Sequence, residues 1–150
     1  KIHEIIWSMN EKDDHLNSLL DYTKRWCSKL TLQTQIPIVF HNIKLNTNPV
    51  ISGEFRKNIY LTIKEAICNS IKHSKASEIN IKFKLYGTHV LRIEIQDNGI
   101  GFHQDSIDLY AKGNGLYNMN YRMKSIDGTC ILFSNRRGCS VILEVELPNI

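Results

Sequence analysis

The sequence predicts an α+β fold, a two-layer α/β sandwich whose mixed, mostly antiparallel sheet is covered on one face by helices. Three observations predict it. A long helical stretch over 54–75 places Ile59, Ile63, Ile67 and Ile71 within one arc, as a core-facing helix does at about 100° per residue. Two strand pairs are each joined by a short turn: 78–86 with 89–97 across Gly87-Thr88, and 129–135 with 139–148 through Arg136-Arg137-Gly138. From residue 36 onward the elements run β, α, β, β, α, β, β, an order that separates hairpins from helices.

Taken in order, residues 1–10 read as the end of a helix arriving from upstream. Asp13 or Asp14 is placed to cap a second helix, on which Leu16, Leu19, Leu20, Thr23 and Trp26 share a face. Trp7 and Trp26 read as packing residues. Residues 36–43 (IPIVFHNI) alternate like a strand, and NTNPVISG is a loop. After the first hairpin comes a glycine-rich stretch, 98–115. A helix over about 116–126 then ends at Asp127-Gly128, a pair suited to a left-handed cap. We divide the chain into residues 1–12, the end of an upstream helix with its linker, and residues 13–150, one domain. That length suits a single core.

The bulk numbers exclude several classes. At 42% hydrophobic and 23% charged residues, the chain reads as an ordinary globular protein. No apolar run approaches the ~20 residues that span a bilayer, and Lys1–Asn10 does not resemble a signal peptide. The absence of an initiator Met suggests a piece of a longer protein, which leaves room for a membrane segment upstream. The net charge of +4 is dispersed, and its densest group is Arg136-Arg137. That argues against nucleic acid, while a mild basic excess suits an anionic ligand such as a nucleotide. Cys27, Cys68, Cys130 and Cys139 form no C-x-x-C pair and no metal-ligand spacing. They read as reduced thiols in a reducing compartment, without a zinc site.

Three groups of residues carry candidate chemistry. On the helix over 54–75, Glu65, Asn69, Lys72 and His73 cluster away from the isoleucine face. Taken alone, this face reads equally as solvated surface. It also offers oxygen ligands of the sort Mg²⁺ takes beside phosphate. Next, a strand ends at Asp97-Asn98-Gly99-Ile100-Gly101-Phe102. N-G alone is a turn signal, but alternate glycines let a ligand approach the backbone. A carboxylate there could accept from an amino group such as that of adenine. Last, Gly113-Asn114-Gly115-Leu116 precedes a helix, where free amides and the positive dipole end suit phosphate. The run is neither a Walker loop nor a Rossmann fingerprint.

The order E-x-x-x-N-x-x-K-H, then D-N-G-I-G-F, then G-N-G-L resembles the GHKL ATPase superfamily over residues 54–148. Within it the likeness is to the catalytic and ATP-binding domain of sensor histidine kinases, in the branch of nitrate and membrane-fluidity sensors, whose lid is short as Phe102–Gly113 is here. The opening IHEIIWSMNEKDDHLNSLLDYTKRW is similar to the junction between dimerization helix and ATPase domain in such kinases.

The resemblance implies a Bergerat-type sandwich that binds ATP with Mg²⁺ and passes the γ-phosphoryl group to a histidine. It implies Glu65 as the catalytic acid that orients or deprotonates the acceptor, and Asn69 as the Mg²⁺ ligand. Lys72 and His73 would face phosphate. Asp97 would accept from adenine, with Gly99 and Gly101 giving the base and sugar close approach. Gly113, Gly115 and the amides near Leu116 would form a mobile phosphate lid. Asn118 and Arg122 are weaker candidates. The implied partners are upstream dimerization and phosphoacceptor helices, a response regulator and a second copy of the full-length protein. The implied location is the cytoplasmic side of a membrane-anchored sensor. His3 and His15 read as structural or solvent-exposed rather than as acceptors, so these 150 residues are expected to bind ATP without phosphorylating themselves efficiently. One departure stands out: Gly138-Cys139-Ser140 replaces the family's Gly-Thr. That leaves Cys139, Ser140 or a water to support Asp97. The alternatives are an anti-sigma-type serine kinase of the same superfamily and a non-catalytic nucleotide-binding module.

Overall fold

The computed structural model describes residues 2–41, 45, 47–101 and 115–148. Its helices are α1 (Ile2–Met9), α2 (Leu16–Thr34), α3 (Gly53–Lys72) and α4 (Gly115–Lys124), with a short 3-10 turn over Glu11–Asp13. Its strands are β1 (Ile38–His41), β2 (Ile79–Tyr86), β3 (Val90–Asp97), β4 (Thr129–Asn135) and β5 (Gly138–Glu146). They form one sheet in the order β1-β2-β3-β5-β4. The two hairpins are antiparallel as expected, and β3 pairs antiparallel with β5. Only β1–β2 is parallel, because the crossover through α3 returns the chain in the same direction.

Alternation along the strands sets the two faces of the sheet. Ile79, Ile81 and Phe83 of β2, Leu91, Ile93 and Ile95 of β3, and Val141, Leu143 and Val145 of β5 are buried. Between them, Lys82, Lys84 and Gln96 are exposed. The buried face belongs to one core with Ile59, Ile63, Ala66 and Ile67 of α3 and Leu116, Met119 and Met123 of α4. Ile71, the last of the predicted stripe, is only partly buried. This is the expected two-layer sandwich. No described helix is long and apolar enough to cross a membrane.

Several boundaries differ from expectation. The N-cap of α2 is His15, whose ring nitrogen accepts from the Ser18 amide at 3.2 Å. Asp14 instead ion-pairs with Arg56 of α3. Arg56 is fully buried, and a buried guanidinium requires a counter-charge more than α2 requires an acidic cap. Arg56 also donates to the carbonyls of Trp7 (2.9 Å), Ile51 (3.1 Å) and Asn10 (3.4 Å), so it closes the C-terminal end of α1. α1 is held further by Trp7 stacked on Tyr22, centroids 4.1 Å apart, and edge-on to Tyr60.

The helix expected over 54–75 is capped by Ser52 and ends at Lys72, with Lys75 in the left-handed region at φ 53. After α4 the chain turns at the expected Asp127-Gly128 pair, with Asp127 as the left-handed residue, φ 58. The strand expected over 36–43 is ordered as β1 over 38–41, and 42–44 lie outside the described residues.

Candidate functional site

Asp97 ends β3 and is 3% exposed. One of its oxygens, Oδ1, accepts three hydrogen bonds: from the Ser74 hydroxyl at 2.8 Å, the Gly99 amide at 3.0 Å and the Cys139 amide at 3.0 Å. The other, Oδ2, is buried with no partner among the described residues. A buried acceptor left unsatisfied costs ~1–3 kcal/mol, so this oxygen is complementary to a ligand that donates to it.

The group supporting Asp97 from the last hairpin is the Cys139 backbone amide rather than its side chain. Burial, reinforced by the Asp97 charge, pushes the Cys139 thiol up to about 12, so it stays neutral. The side-chain support comes from Ser74, which the sequence reading did not single out. Its one signal was position: the first residue after the E-x-x-x-N-x-x-K-H run, where the chain leaves α3.

The turn after Asp97 is clamped to that exit. The Ile100 amide donates to the Ser74 carbonyl at 2.8 Å and the Gly101 amide to the Ser74 hydroxyl at 3.3 Å. A Cβ on Gly99 would overlap both Ser74 oxygens, so glycine is required for this close approach. Asn98 has a role of its own: its side-chain oxygen accepts from the Ser77 and Glu78 amides at 2.9 and 3.0 Å, fixing the entry to β2. Gly101 is left-handed, φ 75.

Along the polar face of α3, Glu65, Asn69 and Lys72 line a cleft of about 360 Å³ with Asn118 and Arg122 of α4. The two weaker candidates thus share the cleft with the stronger ones. Gly115, the first residue of α4, lies directly against this face. A Cβ there would overlap the Glu65 carboxylate and come within 2.9 Å of the Asn69 amide nitrogen. The amide-rich, positive end of α4 therefore meets the polar face of α3, anchored by buried Leu116. Glu4 and Lys64, an ion pair at 2.8 Å, line the same cleft. His73 is the C-cap of α3, its amide donating to the Asn69 carbonyl at 2.8 Å, and is not among the cleft's described lining residues. Gly113 and the rest of the expected lid, 103–114, lie outside the described residues.

The family model for histidine kinase-, DNA gyrase B-, and HSP90-like ATPases matches residues 55–149, the span that holds every one of these groups except Glu4. The chain belongs to this ATPase family. The sensor histidine kinase ComP of Bacillus subtilis is 30% identical over 124 residues, covering 80% of this chain and 16% of that protein. The sensor histidine kinase LiaS of the same organism is 31% identical over 98 residues, covering 65% and 26%. The chain therefore spans only 16% and 26% of the length of these two relatives. The ATP binding domain of PrrB from Mycobacterium tuberculosis superposes with a TM-score of 0.69 at 19% identity, covering 91% of this chain and 99% of that one. The chain is an ATP-binding ATPase domain of the sensor histidine kinase type, and its fold is that of such domains.

Proposed function

We propose that this domain binds Mg-ATP and transfers its γ-phosphoryl group to a histidine on an upstream dimerization helix, within a two-component signalling system. The observation that carries the reading is the Asp97 carboxylate, held by three donors at one oxygen and left buried and unpaired at the other. The adenine amino group is the donor that fits Oδ2; the space beside Gly99 and Gly101 that the sequence reading gave to base and sugar is taken by Ser74 and by Ser134 and Asn135, so these glycines serve to pack the turn beside Asp97.

Toward the phosphates, Asn69 supplies an amide oxygen for Mg²⁺, which takes few protein ligands beside phosphate and water. Held there, the metal would supply neutralisation of charge on the transferring group. Lys72 places a point charge toward the phosphates, and His73 offers a hydrogen bond from the end of α3. Gly115 and the amides at Leu116 cap the phosphates from the start of α4, with Asn118 and Arg122 beside them; Gly113, which lies outside the described residues, is assigned to the same phosphate cap. Glu65 orients the acceptor imidazole and takes its N–H proton as the ring nitrogen forms the bond to phosphorus. The bond to the bridging oxygen breaks, and ADP leaves.

Residues 1–12 are read as the end of the upstream helix and its linker, with the domain proper over 13–150. The full-length protein acts as a homodimer, passes the phosphoryl group to a response regulator, and holds this domain on the cytoplasmic side of a membrane-anchored sensor of the short-lid branch. Nucleic acid is not a partner in this reading.

Glu65→Gln tests the catalytic assignment. It keeps the shape and removes the base, so an interaction made only in the transition state is lost. The expected result is near-normal ATP affinity by titration. In the full-length protein, single-turnover histidine phosphorylation should fall by roughly 10²-fold or more, the usual size of a general-base contribution. Equal rates for the two proteins would remove Glu65 from the mechanism.

A further inference from the structure

Ser74 lies just past the end of α3 and is fully buried. Every polar group it uses is turned toward the segment 97–101. Its carbonyl accepts from Ile100 and its hydroxyl oxygen from Gly101. Its single hydroxyl hydrogen goes to Asp97 Oδ1 at 2.8 Å. The other two donors on Oδ1 are backbone amides, fixed by the turn at Gly99 and by the start of β5 at Cys139. Ser74 is thus the one side chain among the described residues that holds the carboxylate, and it reaches in from α3.

A carboxylate can present either oxygen or rotate between them. Three donors converging on Oδ1 remove that freedom and leave the buried Oδ2 as the unpaired acceptor.

We propose that Ser74 is a positioning residue for base specificity: by holding Asp97 Oδ1 inward, it makes the site select purines with a 6-amino group over those with a 6-oxo group. The inference rests on the reading that Asp97 meets the base. A 6-amino group donates to Oδ2, whereas a 6-oxo group sets acceptor against acceptor. A residue that merely staples the 97–101 turn to α3 would weaken both kinds of nucleotide alike, so the ratio of affinities separates the two roles.

The experiment measures the affinity of the 150-residue chain for ATP and for inosine triphosphate, both with Mg²⁺, by isothermal titration. Wild type should prefer ATP. Ser74→Ala should lose about tenfold in ATP affinity, the size of a hydrogen bond to a charged group. Inosine triphosphate should lose less than about twofold, so the preference narrows. Ser74→Cys, with a weaker donor, should fall between. Equal losses for both nucleotides would overturn the proposal while leaving ATP binding intact. Failure of the wild-type chain to bind ATP would overturn the functional reading itself. If circular dichroism shows Ser74→Ala unfolded, the ratio is read on Ser74→Cys, where an unchanged preference overturns the proposal equally.

Discussion

Asp97→Asn tests the base-binding reading with the smallest possible change in shape. The three donors that converge on Oδ1 dictate how the new amide sits. An amide nitrogen at that position would face three hydrogens, so the amide oxygen must take it. The NH₂ group then occupies the place of Oδ2 and confronts the adenine amino group, donor against donor. The variant loses the one accepted bond and leaves two buried donors facing each other. That amounts to ~1–3 kcal/mol, or roughly 5- to 150-fold in affinity at 1.4 kcal/mol per tenfold. A nucleotide with a 6-oxo group gains by the same geometry, since the NH₂ now donates to it. Titrating wild type and variant with ATP and inosine triphosphate in Mg²⁺ should therefore show the two preferences cross. Unchanged ATP affinity would sink the assignment of Asp97 to the base. An equal loss on both nucleotides would mean that the substitution had damaged the pocket rather than inverted its polarity.

Two further outcomes follow from the packing. Arg56→Ala should lower stability by about 3–5 kcal/mol, the range for removing one partner of a buried ion pair, because Asp14 and the Trp7, Ile51 and Asn10 carbonyls lose their donor; a loss under ~1 kcal/mol in urea denaturation would refute its role as the anchor of α1. Gly115→Ala should lower ATP affinity about tenfold, because the added methyl overlaps the Glu65 carboxylate and forces it or the start of α4 to shift; wild-type affinity would exclude that contact from the phosphate site.

What could be read in the sequence was whatever depends on spacing. The isoleucine period gave the buried face of α3, and the turn dipeptides gave both hairpins. The parallel pairing of β1 with β2 was not visible, because pairing is set by where α3 returns the chain. The cap of α2 was misread for the same reason. Asp14 has the chemistry of an N-cap, but its partner lies 42 residues on, in Arg56. At the site, Glu65 and Asn69 could be paired from a four-residue spacing, and Gly115 was recognisable from its place before a helix. That Gly115 touches Glu65 is a tertiary fact. Ser74 left almost no trace in the sequence, because a serine after a helix is common and its role exists only once β3 brings Asp97 against it.

The polar groups of the site are not spread evenly over the fold: α3 and its exit carry one member of each part. Glu65 and Asn69 are one helical turn apart, about 6 Å along the axis at 1.5 Å per residue. From Glu65 to Lys72, where α3 ends, the axis rises about 10 Å by the same measure, and Ser74 lies just beyond that end. That is the scale of an extended nucleotide triphosphate from base to γ-phosphate. The sheet fixes one end, since β3–β5 pairing sets Gln96 opposite Ser140 and so brings the Cys139 amide to Asp97. α4 fixes the other, through Gly115 against Glu65. Because α3 is packed on the core through Ile59, Ile63 and Ile67, the two ends cannot drift independently. On the proposed assignment of Asp97 to the base and of Glu65 and Asn69 to the phosphates, a nucleotide whose base is not seated on Asp97 would present its γ-phosphate out of register with α3, and the test is whether Asp97→Asn lowers the phosphotransfer rate at saturating ATP as well as the affinity.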